Sequence, residues 1–256
     1  PHLYQELLES LQQPDCSLER VAAVIGKDVG MTVQILKLVN SAFFGAQKHI
    51  SNPIQAVLFL GLETVKTLVL SLQIFRQFEA KLAGDFTLDR FCRHSSAVGA
   101  YARKIMIAEK AEAQMVEESL TAGMLHDLGV LILSSYFPDR YQGTLMLAHE
   151  QKIPLHEAER HTLGTSHAEV GAYLLGLWGL TTPIVEAVAF HHDPMQSSHG
   201  QFSPLTAVHV ANALVSAEGD GFLANGSTPQ LSMEYLEQLG LAGRVAIWQK
   251  LFEVAV

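Results

Sequence analysis

The stretch MLHDLG, residues 124–129, sets a histidine directly before an aspartate inside an apolar segment. Imidazole and carboxylate both bind divalent metals, and both move protons. Four more histidines stand in stretches with helical patterning: His94 in FCRHSSAVGAYARKI, His167 in SHAEVGAYLLGLWGL, and His191 and His192 in EAVAFHHDP. Side chains on several helices can converge in the interior of a bundle, and bundles build metal sites in this way. Neutral imidazole with carboxylate suits Fe, Mn, Zn or Ni. Adjacent residues on a helix point about 100° apart, so His126–Asp127 and His191–His192 could each serve two neighbouring ions, as two-metal hydrolysis requires. Any one of these histidines alone reads as a hydrogen-bonded core residue. The set of His94, His126, Asp127, His167, His191 and His192 reads as a candidate metal centre.

The elements that must position this set are helices. SLERVAAVIG opens on Ser17 as a cap and closes on Gly26, and MTVQILKLVN follows. In SNPIQAVLFLG, Asn52 caps, Pro53 takes the first helical position and Gly61 ends the helix. LETVKTLVLSLQIFRQF is a longer amphipathic helix, and residues 81–89 read as a linker. Helices are then predicted at about 87–109, 115–134, 138–151, 155–162, 167–178, 182–191 and 204–217, with two weaker ones near the C-terminus. No run alternates with period two between turn pairs, so no strand is expected. The predicted architecture is all-α: an N-terminal helical lobe over 1–84, a histidine-bearing helical lobe over 85–217 and a helical extension over 218–256.

Apolar residues make up 48% and charged residues 17% of the 256 residues, a core-rich composition. Mean hydropathy is +0.19, yet no uninterrupted run approaches the roughly 20 residues of a spanning helix. No signal peptide is visible, and a chain beginning at Pro1 is expected to be a piece of a longer one. Cys16 and Cys92 are far apart and read as reduced thiols. Residues 1–110 hold twelve Lys and Arg against ten Asp and Glu; residues 111–256 hold five against sixteen. The acidic part repels nucleic acid. The first two helices have a helix-turn-helix rhythm, but the second offers Thr32, Gln34 and Lys37 among Val33, Ile35, Leu36, Leu38 and Val39, the composition of a core helix. These features point to a cytoplasmic protein with no membrane insertion and no nucleic-acid partner.

Asp28, the block NSAFFG at 40–45, Ile50 and the segment 56–61 resemble the HDOD family, the HD-related output domains of bacterial signalling proteins. The order H…HD…H…HH likewise resembles the wider HD phosphohydrolase superfamily. Together the likeness covers about residues 5–215. It implies a helical bundle of HD type with an additional N-terminal lobe, and it places His94, His126, Asp127, His167, His191 and His192 at the superfamily's ligand positions.

Three departures weaken the catalytic side of that likeness. The superfamily closes its pattern with a second aspartate on a late helix; the matching segment AVHVANALVSA holds Asn212 there, a neutral donor. Asp220, eight residues on, is a poor substitute. The HD-GYP relatives, which hydrolyse cyclic di-GMP, carry a lysine directly after HDxG; here Val130 stands. Their GYP loop is replaced by HHDPMQSSHGQFSP. Of the other histidines, His209 shares a helix face with Asn212, whereas His2, His49, His149, His156, His161 and His199 read as solvated or capping. Trp178 reads as core.

The expectation is a regulatory output module of bacterial signal transduction that acts by protein contact through a degenerate HD site without catalysis. Its expected partners are signalling proteins of two-component or cyclic-di-GMP pathways, or a second copy of the chain. The alternative is a metal-dependent phosphohydrolase acting on a nucleotide or phosphoester. No cofactor is certain; a divalent transition metal is the candidate.

Overall fold

The computed structural model describes residues 17–27, 29–40, 44, 49–76, 87–217 and 229–253. Asp28, most of the NSAFFG block, most of the 81–89 linker, Asp220, Cys16 and His2 lie outside the described residues. Every regular element among the described residues is helical. The chain divides into two compact units, one running to Ile74 and taking in the tip from Phe252, the other spanning Phe75–Leu251.

In the first unit, α1 (Leu18–Gly26) is capped by the Ser17 hydroxyl, which accepts from the Arg20 amide. It packs with α2 (Val29–Val39) and α3 (Pro53–Leu60). Met31, Ile35 and Val39 recur every four residues on the buried face of α2, so this helix spends its apolar stripe on the core. Asn40 shapes its exit: its side-chain amide donates to the carbonyls of Leu36 and Ile50 and accepts from the Ile50 amide. α3 starts at Pro53 under the Asn52 cap and ends at Gly61, whose φ of +79° lies in the left-handed region that favours glycine. There the chain turns by 115° into α4 (Leu62–Arg76). Among the described residues no single helix is long and apolar enough to cross a membrane.

The second unit carries the five candidate histidines and Asp127. α5 (Leu88–Ala108) and α6 (Ala113–Leu125) cross closely at two glycines: a Cβ on Gly123 would lie 2.7 Å from Gly99 Cα. α7 (Leu128–Tyr136), α8 (Pro138–Gln151), α9 (Leu155–Leu163), α10 (His167–Leu177) and α11 (Thr182–Phe190) follow. After a short 3-10 turn, α12 (Pro204–Val215) packs against α5, α6 and α11. α13 (Met233–Gln238) and α14 (Val245–Glu253) are the last α-helices among the described residues.

Two expectations change. The helix predicted over 115–134 is two helices, broken at His126 and Asp127. Nothing in the local sequence signals this break. It arises where the His126 ring bonds the carbonyl three residues back and where Gly129 meets the backbone of His167, so tertiary demand overrides propensity. Trp178 is not core: it follows the end of α10 with 49% of its surface exposed.

Candidate metal centre

The break between α6 and α7 puts Asp127 at the middle of the cluster. Its Oδ2 lies 3.1 Å from His126 Nε2 and 3.7 Å from His94 Nε2. Its Oδ1 lies 3.2 Å from His167 Nε2 and 3.5 Å from His191 Nε2. His192 Nε2 stands 2.9 Å from His167 Nε2. The donor atoms form two groups, Asp127–His167–His191–His192 and His94–His126–Asp127, and within each they lie within 4.8 Å of one another. The carboxylate is common to both. All six residues proposed from the sequence are therefore brought together, and only His192 is partly exposed.

The outer ring nitrogens say which way the inner ones point. His126 Nδ1 lies 2.7 Å from the Gly123 carbonyl, and His191 Nδ1 lies 2.8 Å from the Val188 carbonyl. A carbonyl only accepts, so each Nδ1 carries the proton, and in the neutral ring each Nε2 presents a lone pair. Those two Nε2 atoms are buried and make no hydrogen bond. Buried lone pairs aimed at a carboxylate call for a positive charge between them. The donor set of imidazoles and one carboxylate fits a divalent transition ion.

His167 is backed by a carboxylate. Glu159 on α9 is fully buried, and its Oε2 accepts from the His167 ring at 2.6 Å and from the His167 backbone amide at 2.7 Å. Its Oε1 accepts from the Tyr141 hydroxyl at 2.8 Å. Burial works against charge on His167, yet Glu159 and Asp127 outweigh it and raise its pKa to about 10. Burial also opposes charge on Asp127, but His126, His167 and His191 hold its carboxyl well below the usual range. Burial pushes His191 down to about 4 and His192 well below its ordinary value, which keeps these two rings neutral. Without an ion, the His167 proton thus serves as the positive charge beside Asp127.

Three residues at the site lack a sequence signal. Glu159 and Tyr141 lie in helices that read as ordinary amphipathic segments. His156, expected to be solvated or capping, instead stacks on His192 with ring centroids 4.2 Å apart, and its Nδ1 is buried without a hydrogen bond. Desolvation lowers its pKa to about 3, with His167 and His191 adding to the effect. His209 reaches the site indirectly, through the His191 carbonyl at 2.7 Å. Asn212 is buried on α12, where its Oδ1 accepts from the Ser216 hydroxyl at 3.4 Å. Val130 is fully buried. His199 is exposed and pairs with Glu186 at 2.6 Å.

The family model described as the HDOD domain matches residues 1–194. The chain belongs to the HDOD family. This HDOD chain is similar to an uncharacterised protein of Treponema pallidum (strain Nichols), with 29% identity over 219 residues, or 84% of this chain and 42% of the relative. It therefore spans less than half the length of that curated relative. Among solved structures, an HDOD domain protein of unknown function from Geobacter sulfurreducens superposes with a TM-score of 0.73 at 26% identity, over 99% of this chain and 86% of the other. A protein from Marinobacter aquaeolei VT8, provisionally named for signal transduction, gives a TM-score of 0.66 at 18% identity, over 100% of this chain and 56% of the other. One from Shewanella amazonensis SB2B, provisionally named a metal-dependent phosphohydrolase, gives 0.58 at 20%, over 97% and 91%. These last two likenesses establish the fold alone. The all-α, HD-type bundle expected from the sequence is the observed fold, and the chain carries a buried His/Asp cluster able to hold a metal.

Proposed function

We propose that this HDOD chain is a regulatory module of bacterial signal transduction, built around one divalent transition-metal ion, that passes its signal by protein contact without turnover. The observation that carries the reading is the combination of convergent lone pairs with burial. Asp127 is 5% exposed, and His94, His126, His167 and His191 are exposed even less. An ion there would supply the positive charge that Asp127 and the unpartnered Nε2 atoms are arranged to meet. The match over residues 1–194 to HDOD, a family whose sequence pattern resembles output domains of bacterial signalling proteins, supports the regulatory role.

The Asp127–His167–His191–His192 group is the proposed binding position, because it has four donors and a buried carboxylate behind one of them. Hydrolysis of a phosphoester needs more: a substrate beside the ion and cations for its phosphate. At the position where the HD-GYP relatives carry their lysine, this chain buries Val130 in its core. The buried apolar stripe of α2 and the acidic charge after residue 110 support a protein partner over a nucleic acid. We place the module in the cytoplasm, with two-component or cyclic-di-GMP signalling proteins, or a second copy of the chain, as partners.

A metal-dependent phosphohydrolase is the second reading, and the sharing of Asp127 between two donor groups favours it. Elemental analysis of the purified protein, with a phosphodiesterase assay in Mn(II), separates the two. About one equivalent of metal and no turnover is expected. Two equivalents, with turnover of cyclic di-GMP or a phosphoester lost in His126→Ala, would overturn the proposal.

A further inference from the structure

We infer that His209 is a positioning residue that couples the ion-binding pair His191–His192 to the C-terminal segment, so that ion binding and docking of Ser232 and Tyr235 strengthen each other. This rests on the metal reading above. The HDOD match ends at residue 194, before both His209 and the docked segment.

His209 is buried on α12 and uses both ring nitrogens. Nδ1 lies 2.7 Å from the His191 carbonyl, and Nε2 lies 2.9 Å from the Ser232 amide. The carbonyl only accepts and the amide only donates, so one neutral tautomer satisfies both. The ring is then a rigid spacer between two backbones. On one side, α11 has ended at Phe190, so the His191 carbonyl lies beyond the last helical turn and depends on an outside donor. Its peptide joins His191 to His192, and rotating that peptide would move two donors at once.

On the other side, Ser232 opens α13, and its hydroxyl accepts from the Tyr235 amide. The buried Tyr235 hydroxyl meets the Thr206 hydroxyl at 2.8 Å, and its ring stands edge-on to His209 at 6.1 Å. Thr206 and His209 are three residues apart on α12 and share a face. The C-terminal segment is thus held at two points of one helix face, and one of those points also holds the ion-binding pair. Reciprocity follows from linkage: whatever favours the docked segment favours the arranged pair, and the converse.

The test uses the full chain with Mn(II) as the probe, combining calorimetry with hydrogen exchange over residues 229–238. Saturating Mn(II) is expected to slow exchange at the Ser232 amide by about fivefold or more. Tyr235→Phe removes only the hydroxyl that meets Thr206 and Ser203, away from every ion donor, and is expected to weaken Mn(II) affinity measurably, by about the same factor. His209→Phe should abolish the coupling. His209→Gln, whose amide offers a donor and an acceptor, should keep part of it. Should His209→Phe fail to fold, the exchange measurement and Tyr235→Phe still decide. Mn(II) binding with unchanged exchange at Ser232 and wild-type affinity in Tyr235→Phe would overturn the coupling and leave the metal reading standing. No Mn(II) binding would overturn both.

Discussion

On one side of Asp127, Oδ2 faces His94 and His126; on the other, Oδ1 faces His167 and His191, with His192 beside His167. The donors on the two sides are of the same type, but what stands behind them differs. His126 rests on one backbone carbonyl, and the neutral Asn212 is buried on α12, which packs against α5 and α6. Behind His167 lies the buried carboxylate of Glu159, held by Tyr141. The backbone of His191 is braced by His209, and His192 is covered by the stacked His156 ring. Affinity for an ion depends on donors held in place by such outer partners as much as on the donors themselves. On the proposed metal reading, a single ion would therefore prefer the His167 side.

The largest effect should come from the residue both sides share. Asp127→Asn keeps the shape and removes the charge, and the affinity for Mn(II) or Zn(II) should fall by more than about a hundredfold, beyond the usual range for an outer partner. Calorimetry measures it directly. Retained affinity would mean that the ion is held without the central carboxylate, and the contrast between the two sides would lose its basis.

Next comes the outer carboxylate. Glu159→Gln should weaken binding by about 10- to 100-fold, because His167 loses the charge that fixes its tautomer and raises its basicity. His94→Ala, on the other side, should change the affinity of the first ion far less. A reversal of this order would put the ion on the His94–His126 side.

In the metal-free protein the same asymmetry sets the response to pH. Burial pushes His156 down to about 3 and His191 to about 4, whereas unfolded imidazoles titrate near about 6.5. The unfolded chain then binds more protons, so stability should fall as pH drops from about 6.5 toward 4. His167 has the opposite sign. Glu159 and Asp127 overcome its burial and raise it to about 10, so its contribution is complete below about 6.5 and fades as pH rises toward 10. Denaturant titrations in chelator should give a maximum near about pH 6.5, with the steeper limb on the acid side, where more rings titrate. Adding Mn(II) should flatten the alkaline limb, since the ion takes the place of the His167 proton. A profile level from about pH 5 to 8 would contradict the burial of these rings.

How much of this is legible in the sequence depends on whether a feature is local. Caps at Ser17 and Asn52, the stop at Gly61 and the buried stripe of α2 can be read because each is a matter of spacing within one helix. The six candidate donors can be read because their types recur on predicted helices and their order resembles that of the HD superfamily. Glu159 cannot, since LHEAERHTL has the look of a solvated helix until α8 brings Tyr141 to it from 18 residues away. His156 is hidden for the same reason. The break at His126–Asp127 has no breaker residue, and it exists because Gly129 must approach the backbone of His167, 38 positions later.

The smallest effect tests the His94–His126 side. Asn212 is buried on α12, which packs against α5 and α6, the helices that carry His94 and lead into His126. With asparagine there, a second ion would meet two imidazoles and a carboxylate already shared with the first. Two divalent charges against Asp127, with Glu159 one ring removed, leave an excess of positive charge that is costly in a buried site. Asn212→Asp adds a carboxylate on that side, and affinity for a second ion should rise by about fivefold or more, the lower end for charge-assisted contacts. The first ion, on the His167 side, should bind almost unchanged. The substitution should not by itself bring turnover, since Val130 offers no cation to a phosphate. Calorimetry with Mn(II) on both proteins resolves the two sites as separate steps. Identical isotherms would mean that position 212 does not serve the His94–His126 side. A second ion already tight in the unmutated protein would mean that the two sides of Asp127 are equal after all, and the phosphohydrolase reading would then be the stronger one.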